Sequence, residues 1–424
     1  MFDIDYKPQA YAEVQNDALL AKREQAWQFL KENGLPTRQD EKWKYTNLNK
    51  WILNSQLTLT PVSVRKKLER KDIVACLTDG VISLVFVDGQ FESDLSDIAS
   101  VPEGVSITNV MESEVITHQN DYAKDHAKSL NDALFTSGIE IKVAKNVVGE
   151  SRIELLYITT ENSGHHALCI QNVIDLAENS RLKISEKQIV LFEDAPAYIN
   201  IAYNVNLNSG AKLNWLMSTT SQQEKALITN SIDVQQAANS EFEYFNFIAQ
   251  GDLNRYDFDI QLNDKGAMAR LDGIFMLKGK MHSDNHIMVT HNASYTTSDV
   301  CFKGVATDKS NGIFNAKALV SKGIHAVKAL QSNKNLLLKK TAQINTKPEL
   351  EIYSDDVICS HGATVGQLDT TAIFYMESRG IPHAVAVQML TEGFVLEILD
   401  RQNISESEKA SLLEQLSLSI TNLA

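Results

Sequence analysis

Asn206-Leu207-Asn208-Ser209-Gly210-Ala211-Lys212-Leu213 and Gln261-Leu262-Asn263-Asp264-Lys265-Gly266-Ala267-Met268-Ala269-Arg270-Leu271 are two versions of one phrase. Each turns on polar residues closed by Gly-Ala and then begins a new alternating run. Loose repetition of this kind suits a coil of short strands stacked in rungs, each burying its neighbour's inner face. Around the two phrases, short apolar or alternating runs recur at Ile153–Tyr157, Leu182–Ile184, Ile189–Phe192, Tyr198–Val205, Leu213–Met217, Phe242–Ile248, Phe258–Leu262, Ala269–Leu277 and His286–His291. Others follow at Val300–Val305 and Leu336–Ile344, and turn residues such as Asn311-Gly312 punctuate them. No clean helical stripe interrupts the series between Ile141 and Tyr353, which excludes a doubly wound α/β sheet with its crossover helices. A sandwich or a barrel stays open beside the stacked coil. A stack of rungs needs its ends covered, because open strand edges invite pairing with another chain.

Helical patterns flank this β body. Ala18 to Asn33 carries Leu19, Leu20, Ala26, Trp27, Phe29 and Leu30 at spacings of an apolar stripe, and Gly34 with Pro36 ends it. Trp43, Tyr45 and Trp51 put large amphipathic rings close together, as expected of a segment fixed onto the body. A further helix is expected over Tyr122 to Leu134. After His361, Asp369 to Arg379 and His383 to Leu399 read as helices separated by Gly380 and Pro382. Ser405 and Glu408 then have capping-box spacing before Leu412, Leu413, Leu416 and Ile420. The expected divisions are a mainly helical region at 1–140, a β core at 141–362 and a helical region at 363–424.

The 424 residues carry 40 Lys and Arg against 54 Asp and Glu, a formal charge of -14 that argues against nucleic acid or an anionic membrane as partner. A local basic run, Lys303, Lys309, Lys317, Lys322, Lys328, Lys334, Lys339 and Lys340, is the exception. The cysteines Cys76, Cys169, Cys301 and Cys359 form no Cys-x-x-Cys pair, so neither a disulfide scaffold nor a zinc knuckle is expected. No basic leader or membrane-length apolar run is seen, and a cytoplasmic location is the expectation.

Two groups of residues carry soft or basic donors. Cys359 and His361 are one residue apart, so on a strand both side chains share a side, with backbones about 7 Å apart. Thiolate and imidazole suit iron or zinc, yet two ligands make only half of a tetrahedral site. The alternative is a small thiol beside a surface histidine. His282 and His286 would share a strand face, with His291 opposite; the readings are a metal or redox contact or a polar face of the stack. A stacked fold could also bring Cys301 near them. Phosphate loops, dinucleotide fingerprints, nucleophile elbows and zincin helices are absent, so no conventional enzyme is expected. The adjacent acids Asp355 and Asp356 do not change that.

Ser354-Asp355-Asp356-Val357-Ile358-Cys359-Ser360-His361-Gly362-Ala363-Thr364-Val365-Gly366, with Leu368-Asp369, Phe374-Tyr375, Ser378-Arg379-Gly380 and Gly393-Phe394, resembles the SufB/SufD family of iron–sulfur cluster assembly. Leu35-Pro36-Thr37-Arg38-Gln39-Asp40-Glu41-Lys42-Trp43-Lys44-Tyr45-Thr46-Asn47 is similar to the SufD branch. The resemblance implies a right-handed parallel β-helix core between amino- and carboxy-terminal helical regions. It implies a complex with SufB and a SufC-type ATPase, and leaves a homodimer of the isolated chain open. It also implies a transient iron–sulfur cluster in the complex, with none held stably by this chain alone. His361 would then be an interface ligand for metal and Cys359 a second donor at the cluster site. Phe374, Tyr375, Arg379 and Phe394 would lie on the docking surface. The SufB-type cysteine-rich amino-terminal motif is missing, which counts against an autonomous scaffold. Competing functions are a metal-binding enzyme on a β-solenoid, using His282, His286 or His291, and a purely structural subunit.

Overall fold

Residues 17–59, 62, 66–112, 125–191, 196–219 and 226–421 are described by the computed structural model. From Ile139 onward the chain alternates, strand by strand, between two sheets. One sheet runs from Val357–Gly366 through Val327–Leu337, Thr297–Ala306, Met268–Leu277, Glu241–Ile248, Lys212–Thr219, Arg181–Val190 and Val148–Thr159 to Ile82–Val87 and Gln90–Phe91. The other runs from Gln343–Ile352 through Asn311–Val320, His282–His291, Leu253–Leu262, Ala226–Gln236, Ala197–Leu207, Ala167–Leu176 and Ile139–Val143 to Val105–Asn109. Within the stack all neighbours are parallel; antiparallel pairs occur only where Gln90–Phe91 and Val105–Asn109 end the ladders. This is a parallel β-solenoid flanked by helices, the expected fold class.

Register explains the repeated phrase. Leu213 lies opposite Phe242, which lies opposite Ala269, so the two phrases occupy one corner two turns apart. That corner needs a left-handed residue in successive turns: Asn146, Asn179, Gly210, Asn239, Gly266 and Tyr295 all have positive φ. The Asn179 N–H donates to the Ser209 carbonyl, Gly210 to Ala238 and Asn239 to Lys265, so each turn's corner is bonded to the next. Glycine is required at two of these places by space as well as by φ. A Cβ on Gly210 would sit 2.4 Å from Asn179 Oδ1, and one on Gly266 2.2 Å from Asn239 Oδ1. Asn311-Gly312, by contrast, is no turn. It begins a strand, and Gly312 leaves room for Phe275, whose ring would lie 2.9 Å from an added Cβ.

The core runs along the stack through Ile153, Trp215, Phe242, Phe275, Phe302 and Phe314. Each such side chain stabilises by about 1.5–3 kcal/mol. A polar band crosses it. Glu186 and Gln188 take inner positions on Arg181–Val190, between Ile184 and Val190. The Tyr203 hydroxyl donates to Glu186 Oε2 at 2.6 Å, and Gln188 Nε2 donates to Oε1 at 2.9 Å. Tyr203 and Tyr157 share a 2.8 Å hydroxyl bond, and Asn172 Nδ2 donates to Tyr157. These inward polar groups break the apolar run, which is why two strands were expected here instead of one. Phe192, the expected end of the second, lies outside the described residues.

The amino-terminal region is less helical than expected. Helix α1 (Asp17–Asn33) and α2 (Leu48–Asn54) are followed by the buried strand Ile82–Val87, which pairs along its whole length with Ile153–Ile158 of the stack. Ile-Ser-Leu-Val-Phe-Val is short, apolar and β-branched, and reads as strand once a sheet edge is available to it. Helix α3 (His126–Leu134) starts where the Asp125 side chain accepts from the Ala127 and Lys128 N–H groups; Tyr122 lies outside the described residues. Lys22 of α1 pairs with Asp132 at 3.1 Å, and Arg23 donates to the Phe135 carbonyl at the end of α3. At the other boundary the last strand runs to Gly366, beyond residue 362.

Helices α4 (Thr370–Ser378), α5 (His383–Leu399) and α6 (Glu406–Thr421) close the chain. Asp369 caps α4 by accepting from the Thr371 N–H, and Glu408 and Ser405 form the expected capping pair. Val395, Ile398, Leu412, Leu416 and Ile420 pack on Phe245, Ile274, Met276 and Val305, on the outer face of one sheet. Arg401 ties this module down through Asp272 and Asp299. No residue of helix α4 is fully buried, and Ala372, Ile373 and Met376 are half-buried.

Candidate functional site

The strand Val357–Gly366 pairs residue for residue with Val327–Leu337, and odd-numbered residues of the latter face inward: Val327, Ala329, Gln331, Asn333 and Asn335 are all buried. Cys359 stands opposite Ala329 and His361 opposite Gln331, so both continue the inner face and share one side, as the spacing required. Below His361 the column reads Gln331, Val300, Leu271; below Cys359 it reads Ala329, Ser298, Ala269. A column that is apolar deep in the stack thus becomes amide and then imidazole at its end.

No strand follows. Val357–Gly366 and Gln343–Ile352 are the terminal strands of their sheets. Their inner-facing residues, which would be core in any earlier turn, are open: Val365 is 43% exposed, His361 is exposed and Cys359 is half-buried. Partial burial pushes the Cys359 thiol up, against a smaller opposing pull from the hydrogen bond at Ala329. The sulfur is therefore protonated near neutrality, and a metal would have to displace that proton to gain a thiolate. Among the described residues, no three His, Cys, Asp or Glu side chains gather in a metal-binding group. Cys359 and His361 form a half-site on an uncovered edge.

The other expected residues divide. Phe374 and Tyr375 stand 69% and 60% exposed on α4. Arg379, at the end of that helix, donates to the Tyr375 hydroxyl at 3.1 Å and lies over its ring. Phe394 is less exposed than these. It is half-buried against the body, with the Lys303 ammonium 4.8 Å from its ring, so part of its surface is already taken.

The histidine group forms structure. Thr46 Oγ1 donates to the Asp284 carboxylate, so it must accept from His282 Nε2 at 2.7 Å. His282 Nδ1 then accepts from Asn311 Nδ2 at 3.2 Å, and burial pushes its pKa down to about 4. Asp284 also meets Arg255 at 2.6 Å and His286 at 2.9 Å, which hold its carboxyl well below the usual range despite burial. The Arg255 guanidinium lies 3.6 Å from the centre of the Trp43 ring. Trp43 and Thr46 thereby fix the amino-terminal segment onto the solenoid. His291 faces inward and bonds Thr296 and Ser298 hydroxyls through both ring nitrogens. Neither His282 nor His291 has a lone pair to spare for a metal. Cys301 does not join them. It sits on the other sheet beside Arg401, Asp272 and Asp299.

Part of the lysine run is neutralised: Lys303 pairs with Glu397, Lys317 with Glu351 and Lys339 with Asp308. Among the described residues no helix is long and apolar enough to cross a membrane.

Comparison with known proteins identifies a family. A family model described as SUF system FeS cluster assembly, SufBD core domain, matches residues 157–394, and one for the SufBD protein N-terminal region matches residues 5–155. The iron–sulfur cluster assembly protein SufD of Escherichia coli is 30% identical over 392 residues, 89% of this chain and 88% of that one. A SufBD family protein of Synechocystis is 25% identical over 93% of this chain and 90% of its own. SufD of Bacillus subtilis is 21% identical over 87% and 85%.

Proposed function

The chain belongs to the SufBD family of iron–sulfur cluster assembly proteins, and on that premise we propose that it is a SufD-type, non-catalytic subunit of a cytoplasmic assembly complex. Its open solenoid end pairs with the matching edge of a SufB-type subunit. His361 then supplies an imidazole, and Cys359 a second donor, to a nascent cluster completed by the partner's thiolates. The cluster is cargo, passed on and not kept, because one chain offers only half of the donors. The exposed face of α4 and α5, with Phe374, Tyr375 and Arg379, docks a SufC-type ATPase. The observation that carries this reading is the uncapped last turn, where core-facing residues including His361 are left in solvent. The four cysteines are free thiols, which suits a reducing compartment.

Two variants test it. Val365→Lys puts a charge where the edges would meet and should abolish co-purification with the SufB-type subunit, leaving the monomer folded. His361→Ala should leave that association intact and lower the iron and sulfide recovered per reconstituted complex. Normal pairing by the first variant, or full cluster loading by the second, would reject the corresponding half of the proposal.

A further inference from the structure

Where the amino-terminal segment lies on the solenoid it leaves a concavity of about 390 Å³. Arg38, Lys50, Tyr45, Trp51, Asn47 and Asn54 line it, together with His282 of the solenoid. The volume is in the range of small-molecule sites. Its charge is one-sided: among the described residues no Asp or Glu lines it, in a chain with 54 acids to 40 bases. The nearest buried acid, Asp284, is already committed to Arg255, His286 and Thr46. His282 cannot serve as a counter-charge or acceptor, since Thr46 and Asn311 engage its two nitrogens. What remains to meet a ligand is a guanidinium, an ammonium, the Asn54 side chain, the Asn47 Nδ2 (its Oδ1 accepts from the Lys50 N–H) and two aromatic faces. The floor is rigid, because the Trp43–Arg255–Asp284–Thr46 network fixes the segment that carries the cations.

We propose that this concavity binds a small oxyanion, a phosphate ester or polycarboxylate held by Arg38 and Lys50, with its carbon framework against Trp51 and Tyr45. Guanidinium and ammonium groups engage such oxygens through charge-assisted hydrogen bonds. The site lies on the outer face of the sheet and is separate from the half-site at the solenoid end, so neither proposal depends on the other.

Trp51 offers a direct readout: Trp27, Trp43 and Trp215 are buried, whereas Trp51 is half-buried at the pocket wall. The full chain is titrated with inorganic phosphate, glycerol phosphate and citrate at constant ionic strength, following tryptophan emission and heat. Saturable binding of at least one probe is expected, about tenfold weaker in Arg38→Gln and in Lys50→Gln. Trp51→Phe should remove the optical change and retain the heat. Preference for glycerol phosphate or for citrate identifies the class of ligand. Responses that do not saturate, or saturable binding that both charge variants leave unchanged, would overturn the site.

Discussion

Glu186→Gln isolates the energetic cost of a carboxylate inside the solenoid. Burial pushes the Glu186 carboxyl up to about 7 from an ordinary 4.5, with the donors Tyr203 and Gln188 opposing the shift only in part. The folded chain therefore binds this proton more tightly than the unfolded one. Its contribution is complete below pH 4.5 and is lost as pH rises to 7, about 3 kcal/mol at 1.36 kcal/mol per pH unit. Glutamine has no proton to lose. It can accept from Gln188 and donate to Tyr203, whose hydroxyl can turn toward Tyr157 because either partner of that bond may be the donor. Unfolding entropy of roughly 2 cal/mol/K per residue converts the loss to about 4 °C in the melting midpoint of a chain this long. Midpoints of the native chain and Glu186→Gln, measured by calorimetry from pH 5 to pH 8, should therefore diverge with rising pH, the native chain falling relative to the variant. Parallel curves across that range would refute the reasoning, since every other titrating group is common to both proteins.

Asp284→Asn removes one of the two carboxylates that Arg255 meets, leaving Asp257 paired with it at 2.7 Å. It should cost about 1–3 kcal/mol, seen as a lower melting midpoint and faster proteolysis between α1 and α2. An unchanged cleavage rate would dissociate the charge network from docking of that segment. Burial holds His291 down at about 4, below its ordinary 6.5, so its contribution is complete above pH 6.5 and lost as pH falls toward 4. His291→Gln should accordingly flatten the acid side of the stability profile by about 3 kcal/mol, and an acid limb as steep as the native one would contradict this assignment. Gly266→Ala should cost more than Gly323→Ala by about 1 kcal/mol in denaturant titrations. Both have positive φ, but only the former drives a Cβ against Asn239; equal losses would show that the corner yields freely.

The solenoid was legible because its turns reuse one chemistry. Asn and Gly recur at the left-handed corner, and that recurrence survives sequence drift since few other residues tolerate the conformation. A second signal went unread: opposite charges one turn apart. Lys212 faces Glu241, Glu243 faces Arg270 and Arg255 faces Asp284, each pair in register on adjacent strands. Such spacing of about 30 residues would have fixed the length of a turn and exposed the network under Trp43. The strand Ile82–Val87 was passed over for a different reason. Its partner, Ile153–Ile158, is too distant in sequence for local pattern to reveal.

Cys359 and His361 were readable as a pair because the two-residue period of a strand needs no tertiary knowledge. Their orientation was not, since an alternating strand does not say which of its faces is the inner one. That information lies a turn earlier, in buried Ala329 and Gln331. Once they define the inner face, exposure of His361 becomes a physical problem: a turn built to be covered has no cover within the described chain. Phe394 illustrates the converse. An apolar stripe marks what a helix will bury but not against what, and here part of that side chain goes to its own solenoid. Phe374 and Tyr375, on a helix with no fully buried residue, are strongly exposed aromatic residues that still lack such a surface, and they lie a short way along the chain from the open edge.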